Sequence, residues 1–173
     1  MIEAWAEKLA VSIKNSNEKQ TGSVAVMQYA LIIVINFLIP YSAAALVGLL
    51  TGRLTETLLS IAAFVLVRSV SGGYHLQSST WCMVATLLVV ALPPHLPFPQ
   101  DGILYTSLFS LLLFAILAPA NIRGYARMPE KYFPLMKLIS LVLVGSNLIL
   151  ESPTLAIIFL LQGISLCIPN KRR

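Results

Sequence analysis

The sequence predicts an all-α membrane protein: a six-transmembrane-helix bundle with an N-terminal amphipathic interfacial helix and both termini cytoplasmic. Of its 173 residues 57% are hydrophobic and only 11% charged, and the mean hydropathy is +0.82. A soluble domain of this size has too little interior to hide that much apolar surface. Apolar runs recur along the whole chain, each bounded by charge, Gly or Pro, as helices crossing hydrocarbon require. Lys and Arg gather on alternate connections, which sets the orientation. The chain reads as one integral membrane domain over 1–173, without repeats, low-complexity tracts or a separate soluble domain.

Residues 1–23 are polar and mixed in charge and contain no apolar core of a signal peptide. Within them Ile2, Trp5, Leu9 and Ile13 recur at helical spacing, opposite Glu3, Glu7, Lys8 and Lys14. That pattern predicts a helix lying in the membrane interface. Six spans follow, at roughly 26–50, 54–67, 82–97, 103–119, 135–150 and 153–169. The second and third are short against the roughly 20 residues that a bilayer needs, so the polar stretch between them is expected to sit partly in the headgroup layer.

With the N-terminus cytoplasmic, the inside segments hold Lys8, Lys14, Lys19, Arg68, Arg123, Arg127, Lys131, Lys137, Lys171, Arg172 and Arg173, and the outside segments hold only Arg53. This is a strong positive-inside pattern. It places the loop 68–82, RSVSGGYHLQSSTWC, on the cytoplasmic side and the turn PPHLPFPQDG outside.

Chemistry concentrates in that cytoplasmic loop. Ser78, Ser79 and Thr80 are suited to cap the helix of the third span, which puts Cys82 in its first turn. There the helix dipole and free N–H groups favour negative charge and offer donors for a developing oxyanion. His75 precedes the cysteine by seven positions and can fold back to take the thiol proton if Gly72 and Gly73 turn the chain sharply. The alternative is a plain surface turn with a buried free cysteine, and the residues alone leave both open.

Elimination narrows the pairing. The only other histidine, His95, lies in the outside turn, and the only other cysteine, Cys167, falls near the cytoplasmic end of the last span. A disulfide between Cys82 and Cys167 is not expected on the reducing side. No HExxH, CxxC, P-loop or dinucleotide fingerprint is present, so neither a metal nor a cofactor is expected. Ser78 and Ser79 are weaker nucleophiles that would need stronger activation. Gln77 or a backbone carbonyl is available to orient His75.

The pattern of Arg68, then Gly72-Gly73-Tyr74-His75, then Cys82 resembles the accessory gene regulator B family of bacterial quorum-sensing peptidases. The segment APANIRGYARMPEK at 118–131 is similar to that family's Pro- and Asn-containing loop. The resemblance implies a membrane cysteine endopeptidase of the bacterial cytoplasmic membrane. It would process a short precursor of a cyclic autoinducing peptide by removing an acidic C-terminal tail, and would work as a homodimer. His75 and Cys82 match the family's histidine and cysteine, and Arg68 and Gly73 match positions where it keeps Arg and Gly.

Arg123, Arg127, Lys131 and Lys137 share one cytoplasmic connection and can attract an acidic tail. Positive-inside bias and anionic lipid headgroups account for basic residues there equally well. Membrane lipids are thus expected partners, and nucleic acid is not. A non-enzymatic transporter or export partner is the competing class, for which mid-membrane ionisable residues would be the signature. The main polar groups within the spans are Asn36, Asn147 and Gln162, each as readily explained by a bond to a neighbouring helix.

Overall fold

Apolar runs that cannot satisfy their backbone from lipid must close their hydrogen bonds internally, and the described residues do so almost wholly as helix. The computed structural model describes residues 2–16, 22–74, 76, 78–121 and 129–169. The helices are α1 (Ile2–Ser16), α2 (Val24–Leu50), α3 (Leu54–Ser71), α4 (Ser79–Ala91), α5 (Gln100–Leu117), α6 (Phe133–Gly145), α7 (Asn147–Leu150) and α8 (Pro153–Leu166). Among the described residues the β pairing is one isolated parallel bridge, Gly72 with Ala120.

Every expected span coincides with a helix. Four helical segments are long and apolar enough to cross a membrane: Val24–Leu50, Leu54–Ser71, Gln100–Leu117 and Glu130–Leu150. Ser79–His95 and Pro153–Leu166 are apolar but shorter. The second span is therefore longer than expected, because α3 continues through Arg68 to Ser71 where the first charge had suggested an end. The shorter apolar helices fall at the third and sixth expected spans.

The chain divides into two compact units, Met1–Ala43 with Leu76–Leu87, and Ala44–His75 with Leu88–Arg173. In the first unit, α1 is tied to α2 by Gln28 Nε2 donating to the Glu3 carbonyl at 3.2 Å. Ala6 and Ala10, one turn apart, form the buried face of α1, while Trp5, Leu9 and Ile13 of the predicted stripe are exposed. An apolar stripe left unburied by protein is what a helix in a membrane interface presents. Along α2, Phe37 and Tyr41 stack edge to face with ring centroids 4.8 Å apart. Pro40 lies inside the same helix and has no N–H to offer the Asn36 carbonyl.

The second unit is organised around a short apolar helix, α8. Residues Thr154, Leu155, Ala156, Ile157, Ile158 and Phe159 of α8 are all buried, and α8 packs chiefly on α5 and α3. Ser152 caps it, accepting from the Leu155 N–H, and Pro153 occupies the first turn. Small hydroxylated residues line the helix contacts, as is common where backbones approach closely in a membrane. Ser60 donates to the Val90 carbonyl at 2.6 Å, and Asn147 Nδ2 donates to Ser107 Oγ at 2.9 Å. Gly48 admits Thr57 so closely that a Cβ there would lie 2.6 Å from Thr57 Oγ1. At the predicted outer end, Arg53 donates to the Pro94 carbonyl, and His95 Nε2 lies 2.8 Å from Thr51 Oγ1.

Candidate active site

Local sequence explains how α3 stops. A C-terminal glycine is the usual way to leave a helix, since a positive φ costs it no Cβ clash. Here two occur in succession: Gly72 has φ 73° and Gly73 φ 139°. Gly73 also fits a tight place, because a methyl on it would lie 2.9 Å from Ser165 Oγ and 3.0 Å from both Arg68 Nη1 and Gln162 Nε2. The hinge reading of the glycine pair thus becomes specific. They set the chain into a crevice lined by α3 and α8.

The turned segment is held on both sides. Gly73 N–H donates to the Ala120 carbonyl at 3.2 Å, and Ala120 N–H donates to the Ser71 carbonyl at 2.9 Å. Ala120 follows α5 in the 118–121 stretch, whose Ala118–Pro119 peptide is cis and whose Asn121 donates to the Ile168 carbonyl at 3.0 Å. From the other side Gln162 Nε2 donates to the Gly72 carbonyl at 2.6 Å and to Ser71 Oγ at 3.2 Å.

Arg68 closes the cluster. Its Nη2 donates to the Tyr74 carbonyl at 2.6 Å and its Nη1 to Gln162 Oε1 at 3.4 Å. The guanidinium carbon lies 5.6 Å from the centre of the Phe64 ring, within cation–π range. A planar fork can serve a backbone carbonyl and a side-chain amide at once, which an ammonium does less well.

Cys82 belongs to the first unit. It is a half-buried free thiol in the opening turn of α4, its N–H donating to the Ser78 carbonyl at 3.0 Å. That bond makes Ser78 the residue before the helix, as the capping pattern predicts, and leaves the N–H groups of Ser79, Thr80 and Trp81 ahead of the first intrahelical bond. Ser79 Oγ accepts from Asn36 Nδ2 at 2.7 Å. The Asn36 Oδ1 atom is buried with no hydrogen-bond partner among the described residues.

The structure therefore brings Arg68, Gly72 and Gly73 together. His75, Gln77, Arg123 and Arg127 lie outside the described residues. Lys131 is exposed in a short 3-10 turn, its Nζ 5.1 Å from the centre of the Tyr132 ring. Cys167 is exposed, directly after the end of α8. Sequence reasoning missed Ser71, Ala120 and Ser165, and it left Gln162 as an ordinary helix contact. Its one available signal was an amide at mid-helix in an apolar run.

The accessory gene regulator B family model matches residues 3–168. The chain belongs to the accessory gene regulator B family. An AgrB-like protein of Halalkalibacterium halodurans is 30% identical over 101 residues, 58% of this chain and 51% of that protein. The chain thus spans about half the length of this curated relative. No solved structure matches. The family match includes the Arg68–Gly73 cluster, His75 and Cys82 alike.

Proposed function

We propose that this accessory gene regulator B family member is a membrane-embedded cysteine endopeptidase. It cleaves the C-terminal tail from a short precursor peptide and hands the product on for cyclisation to an autoinducing peptide. The observation that carries the reading is the family match across His75 and Cys82, joined to the position of Cys82 in the opening turn of α4.

In this reading His75 accepts the Cys82 proton, and the thiolate sulfur attacks the carbonyl carbon at the end of the peptide core. N–H groups at the start of α4 stabilise the oxyanion. Collapse breaks the peptide C–N bond, and the departing tail amine takes the proton from His75. The acyl thioester left on Cys82 retains enough energy for attack by a Cys or Ser side chain within the same peptide. Ring closure as a thiolactone or lactone returns the thiol. Excluding water from the interfacial loop protects the thioester from hydrolysis.

The proposed setting is the bacterial cytoplasmic membrane, with six helical segments in the bilayer, the 68–82 loop and both termini on the cytoplasmic side, and two copies acting as a homodimer. The basic residues Arg123, Arg127 and Lys131 draw in the acidic tail of the precursor. Gln77 is the proposed side chain for orienting His75. The test is direct: protein in lipid vesicles is mixed with a synthetic precursor bearing a Cys-containing core and an acidic tail. Mass spectrometry is expected to show loss of the tail and a covalent peptide adduct, both absent in Cys82→Ala. Equal behaviour of parent and variant would overturn the peptidase reading.

A further inference from the structure

Gln162 sits in the interior of an apolar helix and is only 1% exposed. An amide so placed costs several kinds of favourable packing and is kept buried only by its hydrogen bonds. All three directions of its carboxamide serve one stretch of chain. Both Nε2 hydrogens are used, on the Gly72 carbonyl and Ser71 Oγ, and Oε1 accepts from Arg68 Nη1. Arg68 extends the clamp by donating to the Tyr74 carbonyl, which is the carbonyl of the peptide bond to His75. Asn147, the comparable buried amide, instead bonds Ser107 and Ser152 and ties helix to helix.

We infer that Gln162 is a positioning residue for the proposed peptidase: through Ser71, Gly72 and Arg68 it fixes the backbone of 71–74, the segment that leads directly into the proposed base His75. The inference rests on the peptidase reading. It also accounts for the residue type. Glutamate would keep an acceptor for Arg68 but lose both N–H donors and set a carboxylate against the Gly72 carbonyl, and methionine would fill the space with no hydrogen bond.

The experiment uses the full chain in vesicles of phosphatidylcholine and phosphatidylglycerol, with Cys167→Ser so that iodoacetamide reports on Cys82 alone. Parent, Gln162→Met, Gln162→Glu, His75→Ala and the double variant Gln162→Met with His75→Ala are compared in labelling rate, and all but the double variant in kcat and KM on a synthetic acidic-tailed precursor. The expected result is a kcat loss of about tenfold or more in both Gln162 variants with KM within about twofold. Labelling slows in Gln162→Met but is not slowed further when His75 is already alanine. Equal slowing with and without His75, or unchanged kcat, overturns the positioning role while leaving the peptidase intact. Parent rates of cleavage in His75→Ala would overturn the peptidase reading and the inference with it. Should Gln162→Met not fold, Ser71→Ala, which removes one partner of three, enters the same cycle.

Discussion

Asn36 in the middle of α2 donates through Nδ2 to Ser79 Oγ, 2.7 Å away at the start of α4, one helical turn ahead of Cys82. The bond crosses 43 positions of sequence and joins the two helices that frame the thiol in the first unit. Replacing Asn36 with Leu removes it and also removes the orphaned Oδ1 acceptor. Interhelical polar bonds in membranes contribute modestly, about 1 kcal/mol. Asn36→Leu is therefore expected to fold with a small loss in thermal stability and to slow cleavage through misplacement of α4. Ser79→Ala should reproduce the effect, and the two together should cost little more than either alone, as a double-mutant cycle on cleavage rate would report.

Gly73 is constrained twice, by φ 139° and by three polar atoms within about 3.0 Å of where a Cβ would stand. Strained backbone of this kind costs about 1–3 kcal/mol for a residue with a side chain. Gly73→Ala is expected to push the 71–74 segment away from Ser165 and Gln162 and to abolish most cleavage. Gly52, at φ 70° with open space around it, gives the control: Gly52→Ala carries the dihedral strain without the clash and should keep activity. Melting in detergent and cleavage rate separate the two.

Much of this fold was legible because apolar length and bounding charge are local signals, and α2 and α5 start and end close to where those signals change, while the expected span 135–150 is divided between α6 and α7. Arg68 misled the reading of α3, because a charge ends an apolar run but not a helix whose carbonyls and guanidinium both find partners. In the site, the Gly72-Gly73 turn was legible from glycine alone. The Gln162 clamp was not, since it spans 90 positions to Gly72 and nothing in the local pattern of α8 tells an amide that bonds a loop from one that bonds a helix. Ala120 was illegible for a stronger reason: its part is played by backbone N–H and C=O groups, which every residue carries.

Arg68 donates directed hydrogen bonds to Tyr74 and Gln162, over the face of Phe64. Lysine keeps the charge but not the fork. Bonds from a charged group are worth roughly 1.5–3 kcal/mol each, so Arg68→Lys is expected to lower kcat/KM by about tenfold or more. If charge alone mattered, as for recruitment of an acidic tail, lysine would restore activity to Arg68→Gln. The comparison of the three residues on one precursor decides between geometry and charge.

Charge is expected to matter on the other connection instead. Lys131 is exposed and shares its segment with Arg123 and Arg127, so a combined reversal of the three to Glu should raise KM for an acidic-tailed precursor. The same variant should leave a neutral-tailed precursor nearly unaffected, and its defect should shrink as salt rises and screens the interaction. A defect equal for both tails would assign these residues to lipid or to folding.

Orientation is the prediction on which the whole arrangement depends. Positive-inside asymmetry predicts that Cys82 and Cys167 lie on the same, cytoplasmic side, and Cys82 is half-buried and Cys167 exposed. A membrane-impermeant maleimide should then label both thiols in inside-out vesicles and neither in intact spheroplasts, while a cysteine introduced at Thr51, beside His95, should show the reverse. Labelling of Cys82 and Cys167 from opposite sides would mean that the short helix Pro153–Leu166 or Ser79–His95 does not span. Labelling of Cys82 itself from the outer side would put the thiol and a cytoplasmic precursor in different compartments and overturn the peptidase reading in this topology.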